Sequence, residues 1–237
     1  MEAAAKFHGQ VVLVTGGTGA LGRAVARAFL QQGANVAVTY RAQPEYEDFH
    51  SSLSSERAQL RGYQADVTNE AEMQRVVAAV AAPFQRLDGL VNAAGGYSGG
   101  TKLWEMESAV LDHMLALNLR SAFVSSRSVL PIFMSQGSGC IVNVAARSAL
   151  DPPGGAGAYV ASKAAALALM HSLAMDLKGT AIRVNSVLPN VIDTAANRRD
   201  MPRANFASWT KPEAIARVIL FLFTPDAQAI NGAAIPV

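Results

Sequence analysis

Short apolar runs alternate along this chain with longer segments in which apolar residues recur at helical spacing. The apolar runs predict strands over residues 10–15, 35–39, 62–64, 89–93, 139–144, 181–187 and 233–237. The helical spacing predicts helices over residues 21–32, 70–82, 104–133, 159–177 and 211–223. Residues 41–60 are polar and mixed, which indicates a loop with a short helix. Strands and helices therefore alternate from one end of the chain to the other.

Repeated strand–helix units with fully apolar strands are typical of a parallel sheet covered by helices on both faces. Right-handed crossovers make such a sheet doubly wound, and its ligand crevice lies at the carboxyl ends of the strands. We therefore predict an α/β fold: one Rossmann-type domain over residues 1–237, with about seven parallel strands and helices on both faces. Residues 1–8 are interpreted as a lead-in that is flexible or non-native.

The composition is typical of a globular protein with a large apolar core. Hydrophobic residues make up 51% and charged residues 16%, with a net charge of +2, so we expect a large core and no nucleic-acid partner. No apolar stretch approaches the roughly 18 residues that a membrane span needs, and the N-terminus lacks an apolar signal core. We therefore expect a cytoplasmic protein without membrane contact. The single cysteine, Cys140, is expected to be a buried and inert thiol, and the sequence predicts no metal site.

A glycine-rich turn follows the first predicted strand and opens the first predicted helix. Its Gly17-x-Gly19-x-x-Gly22 spacing is the dinucleotide-binding pattern, in which glycines let the backbone approach a pyrophosphate and a helix N-terminus supplies donors. The residues expected to hold the coenzyme phosphates are Gly16, Gly17, Thr18, Gly19, Ala20 and Leu21. The turn therefore predicts a nicotinamide dinucleotide site.

The end of the second predicted strand bears on which coenzyme binds. An NAD site uses a carboxylate there to bind the ribose hydroxyls, but this chain has Tyr40 and Arg41, and no Asp or Glu lies between Arg23 and Pro44. Arg41 can pair with a 2′-phosphate, and we expect nothing nearby to repel that group. NADP(H) is therefore favoured, and NAD(H) is left open.

A tyrosine and a lysine stand four residues apart at the start of the helix predicted over residues 159–177. Residues four apart share one face of a helix, so the Tyr159 hydroxyl and the Lys163 ammonium can point into one site. A nearby cation lowers the pKa of a phenol. We therefore expect Lys163 to make Tyr159 a usable proton donor or acceptor near neutral pH.

Taken together, these motifs resemble the short-chain dehydrogenase/reductase family over nearly the whole chain. The resemblance implies that the coenzyme is contacted by Asp66, Val67, Asn92, Ala93, Ala94, Gly95, Pro189, Val191 and Thr194. It also implies that Tyr159 and Lys163 are the catalytic pair and contact the coenzyme, and that Asn118 completes a proton relay through a water. A small-molecule substrate and a homodimer or homotetramer are expected on the same basis.

Some positions depart from the family pattern. Ala20 and Asn190 replace glycines, and Ala146 stands where the family has its catalytic serine. Losing an oriented donor to the reacting oxygen costs roughly 10²–10³ in rate where that oxygen gathers charge. Ser148 is an alternative donor if the loop is shifted by two residues.

A closer resemblance, to dihydropteridine reductase-like members of the family, is carried by residues 16–22, 94–100, 187–194 and 201–210. Those members also lack the serine, and a conjugated quinonoid ring accepts a hydride without building a localised alkoxide. By this resemblance the absence of a serine at position 146 is less costly.

We therefore predict an NAD(P)-dependent oxidoreductase that reduces a conjugated or carbonyl acceptor, with a quinonoid dihydropterin-like molecule as one candidate substrate. A ketone or 3-oxoacyl-thioester reductase is the alternative, and a non-catalytic NADP(H)-binding sensor is the alternative from another class. The substrate is expected beside Tyr97, Ala146, Ser148 and Trp209, under a cover formed by about residues 194–210.

Overall fold

A computed structural model describes residues 6–237 of the protein. Seven strands in the described chain form one sheet: β1 (Val11–Thr15), β2 (Asn35–Tyr40), β3 (Leu60–Gln64), β4 (Gly89–Asn92), β5 (Ser138–Val144), β6 (Ala181–Leu188) and β7 (Ala234–Pro236). The α-helices of the same region are α1 (Ala20–Gln31), α2 (Gln43–Ser51), α3 (Glu70–Ala81), α4 (Ser108–Met114), α5 (Ser121–Gln136), α6 (Gly157–Asp176), α7 (Ala195–Asp200) and α8 (Pro212–Leu222). The predicted single-domain α/β fold is confirmed.

All neighbouring strands are parallel, and their order in the sheet is β3-β2-β1-β4-β5-β6-β7. Val12 of β1 pairs with Val36 of β2 on one side and with Gly89 of β4 on the other. The strand order reverses between β1 and β4, which places the ligand crevice at their carboxyl ends. All five residues of β1 are buried, because helices cover both faces of the sheet, and this explains the uninterrupted apolar run.

Helices form a layer on each face of the sheet. The layer of α1 and α8 contributes Phe29 and Ile219 to the core, and both side chains are fully buried. The opposite layer of α3, α5 and α6 contributes Met73, Phe133 and Met170. Truncating a buried aromatic side chain of this kind costs about 3–5 kcal/mol of folding free energy. The two layers therefore hold the strand ends, and with them the crevice, in fixed positions.

The segment predicted as one helix over residues 104–133 differs from the prediction. Leu103–Glu105 forms a 3₁₀ turn, and the helix begins with α4 after an extended Glu107. Between α4 and α5, Leu115–Arg120 forms a π-helical turn, a local widening that is frequent at functional sites. The helix also continues beyond Pro131 and ends where Gly137 adopts a left-handed φ of 74°.

Helix α6 corrects a second expectation. Its 20 residues include an 18-residue window of mean hydropathy 1.2, so it is long and apolar enough to cross a membrane by length and composition. Core helices share these properties, and in this fold α6 packs beside β6, with Ala166, Met170 and Ala174 buried. The absence of membrane contact stays a prediction.

Candidate active site

A cavity of about 430 Å³ lies at the carboxyl ends of β1, β2 and β4, where the strand order predicts a ligand crevice. The predicted coenzyme residues that line it are Gly16, Thr18, Gly19, Tyr40, Arg41, Asp66, Val67, Ala93, Ala94 and Gly95. Lining residues that the sequence analysis missed are Thr39, Glu45, Ala65, Thr68, His113, Ala116 and Leu117. Glu45 lies on α2, His113 lies on α4, and Ala116 and Leu117 lie in the π-helical turn. These elements reach the cavity only when the chain is folded.

The glycine turn leaves its open side toward this cavity. A Cβ at Gly16 would lie 2.8 Å from the Ala94 Cα, and a Cβ at Gly22 would lie 2.2 Å from the Gly16 carbonyl oxygen, so these glycines allow close packing. A Cβ at Gly19 would meet only the Gly16 oxygen, at 3.4 Å. Gly19 also begins α1 without a side-chain cap, which leaves N–H groups available to a phosphate. The turn therefore fits the pyrophosphate of a dinucleotide.

The part of the cavity beside Tyr40 and Arg41 carries a carboxylate, Glu45, that the sequence analysis did not anticipate. Thr18 Oγ1 donates a 3.0 Å hydrogen bond to Glu45 Oε2. Arg23 donates to the Thr18 carbonyl oxygen at 2.7 Å and to the Glu45 carbonyl oxygen at 2.9 Å, and thereby ties the glycine turn to α2. The expectation that nothing near Arg41 would repel a 2′-phosphate is therefore wrong, because α2 folds back and brings Glu45 to the same cavity.

Asp66 holds the turn that follows β3. Its Oδ1 accepts hydrogen bonds from the Thr68 backbone N–H at 2.9 Å and from Thr68 Oγ1 at 2.7 Å. These two bonds, with smaller contributions from the charges of Arg41 and Arg120, lower the pKa of Asp66. The carboxylate is thus ionised and fixed at the cavity wall.

Other residues predicted to contact the coenzyme are absent from the lining of the cavity. Two of them make hydrogen bonds within the protein instead. Asn92 is buried and donates to Ser126 Oγ at 3.0 Å, on the side of α5. Thr194 Oγ1 caps α7 by accepting a bond from the Asn197 N–H at 3.1 Å. The remaining residues of this group, Gly17, Ala20, Leu21, Pro189 and Val191, lie in the glycine turn, at the start of α1 or just after β6.

Helix α6 presents the predicted catalytic pair at the same edge of the sheet. Lys163 is buried, and its Nζ donates a 2.9 Å hydrogen bond to the Val144 carbonyl oxygen at the end of β5. Burial lowers the pKa of Lys163 to about 8. A Cβ at Gly95, which lines the coenzyme cavity, would lie 3.1 Å from this Nζ. Lys163 therefore packs against Gly95, on the side of Gly95 that faces away from the cavity.

The protonation of Tyr159 differs from the prediction. Burial raises the pKa of its phenol, the neighbouring Ser148 hydroxyl lowers it, and Tyr97 raises it. The groups that shift it do not include Lys163, whose Nζ donates to the Val144 carbonyl oxygen. The expectation that the ammonium makes this phenol acidic is therefore corrected: the pKa is raised, and the group that counteracts the rise is Ser148.

Ala146 and Ser148 occupy different positions relative to Tyr159. Ala146 is buried and extended at the end of β5, and its methyl side chain can donate no hydrogen bond. Ser148 lies in the 3₁₀ turn Arg147–Ala149 that follows. Its Oγ is buried and has no hydrogen-bond partner of standard geometry among the residues that the structure describes. The hydroxyl is nevertheless close enough to lower the pKa of Tyr159.

Asn118 lies in the π-helical turn, and both the nitrogen and the oxygen of its side-chain amide are hydrogen-bonded within the protein. Nδ2 donates to the Gly96 carbonyl oxygen and to Ser162 Oγ, each at 3.0 Å, and Oδ1 accepts from the Gly96 N–H at 3.0 Å. Ser162 Oγ in turn donates to the Tyr159 carbonyl oxygen at 2.7 Å. Asn118 therefore connects the loop after β4 to the helix that carries Tyr159.

Aromatic side chains predicted to contact substrate are distributed unevenly. Tyr97 packs edge-on against Tyr159, with ring centroids 4.8 Å apart and 67% of its surface exposed. Trp209 packs against Phe206, at a centroid distance of 4.8 Å, within the predicted cover. The structure thus places Tyr97, in the glycine-rich loop after β4, directly at the tyrosine.

A Rossmann-type sheet with a cavity at its glycine turn, and with a buried lysine of a Tyr-x-x-x-Lys pair behind that cavity, is typical of nicotinamide-coenzyme oxidoreductases. Comparison with known families agrees: the model described as short chain dehydrogenase matches residues 10–204. The chain belongs to the short-chain dehydrogenase/reductase family and is an NAD(P)-dependent oxidoreductase that acts on a small-molecule substrate.

Curated relatives include dehydrogenases and a reductase. The chain is 34% identical over 239 residues to 2-(R)-hydroxypropyl-CoM dehydrogenase of Xanthobacter autotrophicus, covering 95% of this chain and 96% of the relative. It is 29% identical to the 3-oxoacyl-[acyl-carrier-protein] reductase FabG of Thermotoga maritima, covering 96% and 95%.

Similar solved structures contain either coenzyme. ElxO with NADP bound has a TM-score of 0.91 at 25% identity, covering 96% of each chain. An NAD⁺-bound xylitol dehydrogenase has a TM-score of 0.90 at 26% identity, covering 98% of each chain. Both NADP and NAD⁺ therefore occur in solved structures similar to this chain.

Proposed function

We propose that this enzyme interconverts a ketone and a secondary alcohol, with hydride exchanged between the substrate carbon and NADP(H) and the proton exchanged with Tyr159. The observation that carries the proposal is the position of Gly95: it lines the cavity at the glycine turn, and a Cβ there would lie 3.1 Å from Lys163 Nζ. The names of the relatives agree, since hydroxypropyl-CoM dehydrogenase and 3-oxoacyl reductase describe reactions between alcohol and carbonyl groups.

The coenzyme would be held by the glycine turn, by the Asp66–Thr68 turn and by the loop at Gly95. When bound, the nicotinamide ring supplies or accepts the hydride. Arg41 supports a 2′-phosphate and hence NADP(H), whereas Glu45 opposes it. Because Arg41 is exposed at the cavity mouth and Glu45 is held by Thr18, we infer a preference for NADP(H) that Glu45 weakens, with NAD(H) also used.

Tyr159 performs the proton step. A raised pKa keeps the phenol protonated at neutral pH, which is the form needed to donate a proton to the oxygen of a ketone. Alcohol oxidation needs the phenolate instead, so its rate is expected to rise with pH into the alkaline range. Lys163 fixes the end of β5 through Val144, and Asn118 positions α6 through Ser162. The predicted relay water would lie beside Asn118.

The test is a kinetic panel with NADPH and NADH against a simple ketone, an acetoacetyl thioester, a quinone and quinonoid dihydropterin. We expect turnover of the ketone or the thioester and loss of most turnover in Tyr159→Phe, with coenzyme affinity nearly unchanged. Turnover of the dihydropterin alone would establish the conjugated-acceptor reading instead. Thermal stabilisation by NADPH without turnover of any acceptor would support a binding sensor.

We further propose that the enzyme is a cytoplasmic homodimer or homotetramer. Phe123 and Met134 on α5 are 43% and 56% exposed, which is consistent with a surface that a second copy covers. Sedimentation equilibrium with wild type and a Phe123→Glu variant tests the assembly, and a monomer at working concentration would contradict it.

A further inference from the structure

We propose that Tyr97 determines the substrate class of this enzyme: its exposed ring packs against an aromatic group bonded to the substrate carbonyl, while the Tyr159 hydroxyl meets the carbonyl oxygen. This inference rests on the proposed function and deepens it, because it selects aryl ketones among the ketones that such a site can reduce. Tyr97 lies in the loop that connects β4 to α4.

The loop is fixed on both sides of Tyr97. On one side, the buried Asn118 side chain binds Gly96 twice: Nδ2 donates to the Gly96 carbonyl oxygen and Oδ1 accepts from the Gly96 N–H, each at 3.0 Å. On the other side, the Gly100 N–H donates to the Gly155 carbonyl oxygen at 2.8 Å, in the loop that precedes α6. Tyr97 therefore lies on a short segment that is anchored to the π-helical turn at one end and to the loop before α6 at the other.

The side chain of Tyr97 is also held in place. Its ring is nearly perpendicular to the Tyr159 ring, with an interplanar angle of 72° and centroids 4.8 Å apart, which is a favourable aromatic arrangement. Gly99 packs against its hydroxyl so closely that a Cβ at Gly99 would overlap the phenol oxygen. Because the ring is held at two places, a ligand that packs against it pays little to order it.

Tyr97 keeps a large open surface in spite of these contacts, since 67% of the residue is exposed. A tyrosine buries about 150–250 Å² when it is covered, so on the order of 100 Å² stays open beside the proton donor. Trp104 on the same loop is more exposed, at 81%, but the ring that lies against Tyr159 is that of Tyr97. A group that covers Tyr97 therefore also lies next to Tyr159.

The reaction brings a substituent of the carbonyl group within reach of this surface. The oxygen that receives the Tyr159 proton must lie within hydrogen-bond distance of the phenol oxygen, and the substituent is two bonds from that oxygen. An aromatic substituent packs against the Tyr97 ring through the quadrupoles of both rings, whereas a saturated ring has no quadrupole of this kind. During reduction the carbonyl carbon accepts the hydride, its oxygen takes the Tyr159 proton, and the aromatic group is unchanged.

The experiment measures kcat/KM for acetophenone and for cyclohexyl methyl ketone at saturating NADPH, because these ketones share a carbon skeleton and differ in whether the ring is aromatic. The ratio of the two values is compared between wild type and each variant, so that the intrinsic reactivities of the ketones cancel. We expect Tyr97→Leu to lower the preference for acetophenone by about 10-fold, and Tyr97→Phe, which keeps the ring, to retain it within about twofold. Trp104→Leu is the matched control and is expected to retain the wild-type ratio, because it removes an exposed aromatic side chain from the same loop.

Several results would overturn the inference. Wild-type rates with both ketones in Tyr97→Leu would show that the ring does not contact the substrate, and equal losses with both would show that it only positions Tyr159. Equal losses together with a changed sedimentation coefficient would assign the ring to a subunit contact. The same fall in ratio in Trp104→Leu would show a general effect of the loop. Thermal stabilisation by NADPH verifies the folding of each variant. Failure of the proposed function is distinct, since wild type would then reduce neither ketone, and this inference would fail with it.

Discussion

Gly95 lines the proposed coenzyme cavity and packs against Asn118 and Lys163, so its substitution gives a sharp test of the geometry. In Gly95→Ala the new Cβ would lie 2.7 Å from Asn118 Oδ1 and 3.1 Å from Lys163 Nζ. Ordinary contact begins at 3.4 Å, so Oδ1 must recede by about 0.7 Å. That movement weakens its bond to the Gly96 N–H and disturbs the connection from Asn118 to α6.

The expected cost follows from these displacements. Overpacking a filled site by one methyl group costs about 1–3 kcal/mol of folding free energy. A shift approaching 1 Å in groups that position a reaction costs about 10²-fold in rate. We therefore expect Gly95→Ala to fold with reduced stability and to lose about 10²-fold in kcat.

The assay is urea unfolding together with steady-state kinetics at saturating coenzyme. Gly154→Ala is the control, because no atom lies within 4 Å of a Cβ there and its φ is not left-handed. The control is expected to match wild type in both measurements. Wild-type stability and kcat in Gly95→Ala would refute the adjacency on which the proposed function depends.

Three further predictions concern charge and reactivity. Glu45→Gln is expected to raise kcat/KM for NADPH by about threefold to tenfold and to leave kcat/KM for NADH nearly unchanged, because one negative charge leaves the part of the cavity beside Arg41; equal effects on both coenzymes would contradict this. The pKa of Lys163 is about 8 in the fold against 10.5 when exposed, so the unfolded chain binds more protons between these values and stability should rise with pH, by up to about 3 kcal/mol. Urea unfolding at pH 7.5 to 9 without coenzyme, below the range in which an exposed Cys140 thiol is mostly ionised, should show the first part of this rise in wild type and not in Lys163→Met. Burial raises the pKa of Cys140 to about 12, so iodoacetamide is expected to label this thiol only after unfolding, as mass spectrometry can determine; rapid labelling of the native protein would show that the site opens.

Local sequence patterns determined the fold and the position of the crevice. The apolar runs correspond to strands, and the central strands β1 and β4 are buried along their whole length because a doubly covered parallel sheet requires apolar residues on both of its faces. The glycine spacing located the turn because close packing against Ala94 and Gly16 excludes a side chain. The four-residue spacing of Tyr159 and Lys163 placed both on α6 because helical geometry is a short-range property.

Only the tertiary structure decided how the site residues are paired and protonated. Helix α2 folds back to bring Glu45 to Thr18, a contact across 27 residues that no local pattern encodes. The Lys163 ammonium donates to the Val144 carbonyl oxygen of β5; burial raises the pKa of Tyr159, and Ser148, from the turn after that strand, counteracts the rise. These outcomes depend on burial and on contacts between elements distant in sequence. Sequence spacing shows which side chains can reach a common edge of the sheet, whereas the pKa of each group depends on the neighbours that it meets there.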